Sequence, residues 1–194
     1  MNAATTMPAV HRLDVRDAAT ARRWDEFVFA CPQATFFHRS AWQGLLQQVF
    51  RHPTHYLFSE SGGRIDGVLP LARVRSLLFG DALVGLPFAV YGGVAADHEP
   101  AAQALEVEAQ RLAQQLGVQH LELRQLQPCH PDWPRQDLYV TFRKAIAPDE
   151  EANLLAIPRK QRAMVRKGMQ RGLVDTLDDG VDRFFALYAD NVHR

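Results

Sequence analysis

Between Ile157 and Leu173 the chain carries Arg159, Lys160, Arg162, Arg166, Lys167 and Arg171 with no acid among them. At about 100° per residue, Arg159, Arg162 and Arg166 fall on one line of a helix and Lys160, Lys167 and Arg171 on the adjoining line. Met164, Val165, Gly168 and Met169 occupy the opposite arc. Such a helix can be neither buried all round nor solvated all round: one half needs a core and the other an anionic group to face. Pro158 suits its first turn, Asp149, Glu150 and Glu151 lie just upstream, and Gly172 suits its C-terminal cap. A merely solvated helix mixes signs to gain i,i+4 pairs, so the unmixed face reads as an anion site.

That charge is local. The 194 residues hold 22 Lys and Arg against 22 Asp and Glu, so the remainder is mildly acidic. This argues against a general nucleic-acid coat protein, which spreads its positive charge widely. A hydrophobic content of 47% is that of a packed globular chain. Cys31 and Cys129 lie far apart with no Cys-x-x-Cys, which favours free thiols and a reducing compartment. The first ten residues show no signal-peptide pattern, and no stretch approaches the roughly 18 apolar residues of a membrane span. The expectation is a soluble, cytoplasmic chain without stable membrane insertion, at most peripheral at the inner membrane face.

Helical spacing predicts a first helix over 17–30, with Trp24, Phe27 and Val28, and a second over 40–50, with Ser40 as N-cap. A hairpin follows: an extended run 55–59, a turn at Ser61-Gly62-Gly63, and a second run 65–74. Gly80-Asp81 marks another turn, and 86–94 is a short apolar run broken by glycines. A long helix over about 98–116 carries Leu105, Ala109, Leu112 and Leu116 and closes at Gly117. Strands are expected at 118–123 and 138–146, separated by a loop holding Pro128, Pro131 and Pro134. The order predicts a mixed α/β (α+β) fold whose sheet is mostly antiparallel and flanked by helices. At the end, Phe184, Leu187, Tyr188 and Val192 share one side of a helix with little sequence left to cover it. The chain is therefore expected to stop inside a second domain, the first covering 1–146 and the second beginning at 147–194.

Self-contained catalytic signatures are absent: no phosphate-binding Gly-x4-Gly-Lys-Ser/Thr, no Gly-x-Gly-x-x-Gly, no Gly-x-Ser-x-Gly and no His-Glu-x-x-His. His52 and His55 lack a nearby Cys or carboxylate in sequence, so no metal site is assigned. Arg73 and Arg75 alternate at a strand end and form a second candidate cationic contact, although a solvated strand end is the simpler reading. Tyr91-Gly92-Gly93 allows either a ligand or another backbone to approach closely.

Several of these segments together resemble the Fem-type aminoacyltransferases, within the GNAT-like acyltransferase fold group. The nearest likeness is to the FemAB-related proteins of bacterial PEP-CTERM/exosortase systems. The resemblance is carried by Thr35-Phe36-Phe37-His38-Arg39-Ser40-Ala41-Trp42, by Gly67-Val68-Leu69-Pro70-Leu71, and by residues 79–93 with their Leu-Pro-Phe and Tyr-Gly-Gly. His120-Leu121-Glu122-Leu123-Arg124 and the basic run complete it.

What the resemblance implies is a transferase forming an amide on an amine acceptor, in cell-envelope, peptidoglycan or exopolysaccharide biogenesis. It implies two tandem acyltransferase-like domains, so that the missing C-terminal half would complete the site and the piece alone would be inactive. No tightly bound cofactor is implied. The donor would be aminoacyl-tRNA ahead of acyl-CoA, since the Gln/Arg-x-x-Gly-x-Gly/Ala loop of ordinary acetyltransferases is not evident. The partner would be a phosphate-bearing small molecule or envelope precursor, held by Arg159, Arg162, Arg166 and Lys167, with Tyr91 and Arg73 as further contacts; no catalytic residue is assigned. The departure of Leu45, Leu46 and Gln47 from the lysine that some peptidoglycan-directed relatives carry leaves the acceptor open. An activated ester or thioester needs no side-chain nucleophile, because alignment alone can supply about 7 to 11 kcal/mol in favourable cases. The competing reading is a non-catalytic binding module for tRNA or an anionic precursor. A membrane-surface role for the basic helix ranks last, since Met164, Val165 and Met169 give it a thin apolar face.

Overall fold

The computed structural model describes residues 8–14, 16–78, 80–126, 130, 132–174 and 176–193. It divides into two compact units, residues 1–133 and 134–194.

In the first unit the elements run β1 (Ala9–Arg12), α1 (Ala18–Ala30), a 3-10 turn (Phe36–His38), α2 (Ala41–Gln48), β2 (Thr54–Ser61), β3 (Arg64–Ser76), β4 (Gly80–Gly85), β5 (Ala95–Ala96), α3 (Glu99–Leu116) and β6 (His120–Glu122). Helix α1 starts where Asp17 accepts from the backbone N–H groups of Ala19 and Thr20, and it buries Trp24, Phe27 and Val28. Helix α3 starts at His98, whose side chain accepts from Ala101 N, and ends at Gly117 with φ 63°. Gly62 and Gly63 hold φ of 59° and 79° at the β2–β3 turn, as the hairpin requires.

The sheet order is β1-β2-β3-β4-β6, with β5 also on β3. Every pair is antiparallel except β4 with β6, which are parallel and joined by the crossover through α3. The class is the mixed, mostly antiparallel α/β sheet flanked by helices that the order of elements predicts. Strand β3 is long enough to serve two partners on one edge: Leu71 opposes Gly85 of β4, and Val68 opposes Ala95 of β5. β4 and β5 are thus two pieces of one line along β3, interrupted by the excursion 86–94.

Alternation divides the side chains between two faces. Leu57, Leu69, Leu71 and Leu83 pack with Leu105, Ala109 and Leu112 of α3. Tyr56, Phe58, Val68 and Ala72 point the other way and pack with Trp24, Phe27, Val28 and Leu46 of α1 and α2. Trp24 stacks on Tyr56 with ring centroids 5.4 Å apart. Its indole N–H donates to the carbonyl of His38 at 2.7 Å, so this buried aromatic leaves no donor unpaired.

The second unit holds α4 (Glu150–Leu155), α5 (Arg159–Gln170) and α6 (Asp182–His193). Asp149 caps α4 by accepting from Ala152 N at 2.7 Å. The strand expected at 138–146 is not formed: those residues are irregular, with Tyr139 and Phe142 each 93% exposed. A strand persists only when its backbone finds a ladder partner, and the described residues of this unit contain no other strand. Cys31 is a buried free thiol; Cys129 lies outside the described residues.

Candidate functional site

Helix α5 forms where the sequence places it. Pro158 is its N-cap, and Gly172, at φ 70°, follows its C-cap Arg171. Arg162 turns back along the α4–α5 connection and donates to the carbonyls of Leu155 (3.0 Å) and Ile157 (3.1 Å). It thereby supplies donors to carbonyls at the end of α4. Among the described residues Arg159, Lys160, Arg166, Lys167 and Arg171 make no ion pair. Uncompensated cations at i, i+1, i+7 and i+8 sum to a positive field that attracts a multiply charged anion more than any one of them would. Met164, Val165 and Met169, expected against a core, are 65%, 41% and 68% exposed.

Arg73 and Tyr91 stand in the first unit, the α5 cations in the second. Arg73 is committed inside the sheet: its Nε and Nη2 meet Asp81 Oδ1 and Oδ2 at 2.8 and 2.5 Å. Hydrogen bonding from Arg73, reinforced by the charges of Arg73 and Arg75, holds the Asp81 carboxyl below its usual range. A bidentate carboxylate occupies the fork that a phosphate would need. Tyr91 lies on the 86–94 excursion, half-buried.

Of the two glycines after Tyr91, Gly92 faces protein backbone and Gly93 faces the Gln125 side chain. A Cβ on Gly92 would run into the carbonyl of Gly85, and one on Gly85 into the carbonyl of Gly92. Of the two readings the sequence leaves open, close approach of another backbone is the one realised. The amides of Gly92 and Gly93 both donate to the carbonyl of Arg124, at 3.1 and 3.0 Å. Arg124 returns the contact through Nη1 to the carbonyl of Ala89 (2.9 Å), while its Nε pairs with Glu122 at 2.7 Å. Leu86 and Phe88 hold φ of 46° and 67°, a region that costs a non-glycine residue about 1 to 2 kcal/mol.

Beside this excursion the sheet has an uncovered stretch. Val74 and Ser76, Gly80, Ala82 and Val84, and His120, Glu122 and Arg124 line a groove of about 250 Å³, with Pro87 and Phe88 at its end. The register puts Val74, Ala82 and His120 in one row and Ala72, Val84 and Glu122 in the next. The floor is apolar and the β6 side carries the groups able to take or give a proton, His120 and Glu122. Sequence reasoning gives these two residues no role beyond the resemblance. Their signal was the alternation His-x-Glu-x-Arg, which sends all three side chains to one face.

Comparison with protein-family models and with curated proteins finds no match for this chain. Among solved structures, a GNAT family acetyltransferase from Staphylococcus aureus is similar with a TM-score of 0.43 and 9% identity, over 73% of this chain and 97% of that one. A ribosomal-protein-alanine N-acetyltransferase from Brucella melitensis has a TM-score of 0.45 and 13% identity, over 72% and 99%. An aminoglycoside 6'-N-acetyltransferase from Acinetobacter haemolyticus has a TM-score of 0.44 and 13% identity, over 72% and 99%. Values this low leave the function to be argued from the chain's own residues.

Proposed function

We propose that the chain belongs to an N-acyltransferase that passes an acyl or aminoacyl group to an amine, with α5 gripping a phosphate-bearing substrate. The observation that carries the reading is the set of cations on α5 without an ion pair, Arg159, Lys160, Arg166, Lys167 and Arg171, in a chain of zero formal net charge. Phosphate contacts from such side chains are charge-assisted and position the substrate. In the reaction the amine nitrogen attacks the acyl carbonyl, the amide forms as the ester or thioester bond breaks, and the released hydroxyl or thiol of the donor departs with the proton the amine gives up. The first unit, taken by itself, offers His120 and Glu122 beside its groove as groups that can relay a proton. The sequence resemblance supports an aminoacyl donor and a role in envelope biogenesis, with a second domain completing the site.

The test is amide formation from radiolabelled aminoacyl-tRNA and, separately, acyl-CoA, with an envelope-precursor extract as acceptor. It runs on this chain and on the complete product of its gene. Transfer supports the proposal, and tRNA or precursor binding without turnover replaces it with a binding module. The Arg159→Gln/Arg166→Gln/Lys167→Gln variant should bind the phosphate-bearing ligand about tenfold or more weakly, with a shallower salt dependence. Unchanged affinity and slope would remove α5 from the site.

A further inference from the structure

Residues 40–50, Ser-Ala-Trp-Gln-Gly-Leu-Leu-Gln-Gln-Val-Phe, contain no acidic or basic side chain although they include a surface helix. α2 turns Gln43 and Leu46 into the core, where Gln43 Nε2 donates to the carbonyl of Leu13 at 3.2 Å. A helix needing only that cover would carry polar residues beyond it. Instead the apolar arc continues through half-buried Trp42 to Leu45 and Val49, 40% and 62% exposed, and on to Phe50. Aromatic contacts extend the patch at both ends. Phe36, 67% exposed, meets Trp42 edge-on at 6.0 Å, and Phe50 stacks at 4.4 Å on Phe88, 61% exposed. Phe88 presents its ring outward at the expense of the left-handed backbone already described.

Charge complementarity selects what covers this face. Arg39 and Arg51 flank the uncharged stretch; Arg39 shares Asp25 at 3.5 Å, and Arg51 has no ion pair among the described residues. Pairing α2 with a second copy sets arginine against arginine in either direction: Arg39 on Arg39 if parallel, Arg39 on Arg51 if antiparallel. A protein partner would have to place a carboxylate beside Arg51 while covering the aromatic row from Phe36 to Phe88. An anionic bilayer offers phosphate everywhere in its plane and accepts aromatic and aliphatic side chains at the headgroup boundary. We infer that the face formed by Phe36, Trp42, Leu45, Val49, Phe50 and Phe88 is a peripheral docking surface for an anionic lipid bilayer. Among the described residues no helix is long and apolar enough to cross a membrane, so the helix lies along the surface.

The experiment is co-sedimentation with phosphatidylcholine vesicles, with and without phosphatidylglycerol, at fixed salt. The wild-type chain should partition to the anionic vesicles, and Leu45→Gln/Val49→Gln/Phe50→Gln should lose about tenfold or more of that partitioning. In a Trp133→Phe background, brominated lipid should quench the fluorescence, and quench it much less once Trp42→Phe is added, since the remaining Trp24 is buried. Circular dichroism checks that the triple variant is folded; if it is not, Val49→Gln alone is read with the same expectation. Three results would overturn the inference: no partitioning by the wild type, triple-variant partitioning equal to wild type, or self-association that the triple substitution abolishes without any vesicle binding.

Discussion

His38 donates its Nε2–H to the carbonyl of Gly93 at 3.1 Å, joining the 3-10 turn to the end of the 86–94 excursion. The tautomer follows from the other nitrogen. Thr35 donates its backbone N–H to His38 Nδ1 at 3.1 Å, so Nδ1 is the acceptor and Nε2 carries the proton. The ring is buried, and its desolvation favours this neutral form.

Truncating this residue should release the excursion. His38→Ala is expected to cost about 1 to 3 kcal/mol, since it orphans a buried carbonyl and empties a packed site. Urea unfolding gives the stability, and hydrogen exchange at the amides of Gly92 and Gly93 reports the local effect. Unaltered exchange there would show that Arg124 alone holds the loop.

Acidification should destabilise the first unit before the carboxylates titrate. The His55 pKa is lowered to about 4 by burial first and then by the charges of Arg12 and Arg73. Neither ring nitrogen has a hydrogen-bond partner in the structure. Between about 6.5 and the folded value of about 4 the unfolded chain binds more protons, so stability falls as pH falls through that window. His38 acts with the same sign. Melting temperature recorded against pH should decline there, and His55→Leu should flatten the decline; an equal slope in that variant would assign it elsewhere.

Glycines should separate into two kinds. Gly85→Ala and Gly92→Ala each drive a Cβ into a carbonyl of the facing strand or loop, and each should cost more than about 2 kcal/mol or prevent folding. Gly168→Ala meets only Leu173 Cδ1 at 3.5 Å. It should stabilise α5 by about 0.8 to 1 kcal/mol with no change in charge, seen as higher melting of the second unit by circular dichroism.

Within α5, Arg162 should behave unlike its neighbours. Arg162→Gln removes donors from the Leu155 and Ile157 carbonyls, so the turn between α4 and α5 should loosen. Lys167→Gln should leave it intact and lower anion affinity alone. Equal effects of the two on amide exchange at 155–158 would contradict this division.

Much of the fold was legible because its signals are local. The α1, α2 and α3 periodicities, the Gly62-Gly63 turn and the Gly117 cap each act within a few residues. Three features were not. The run at 138–146 has strand-like side chains, but a ladder partner cannot be read from composition. Arg73 looked available because its partner Asp81 is joined to it only through the β3–β4 register. The glycines at 92 and 93 were correctly noted as sites of close approach, yet what approaches, Gly85 and the end of β6, is decided by tertiary pairing. The α5 cations were legible throughout, since their count and order need no fold to be seen.

β4 and β5 remain in line on β3 whatever is spliced between them, because Leu71 and Val68 hold the two stubs independently. The stretch 87–91 is consequently an exchangeable cassette. Doubling its length would add only about 0.6 kcal/mol of closure entropy, and rewriting it would replace one wall of the groove without moving a strand. A sheet constructed in this way can retarget its chemistry by altering a handful of codons at one splice, so long as the new stretch keeps a small apolar residue where Ala89 closes the core.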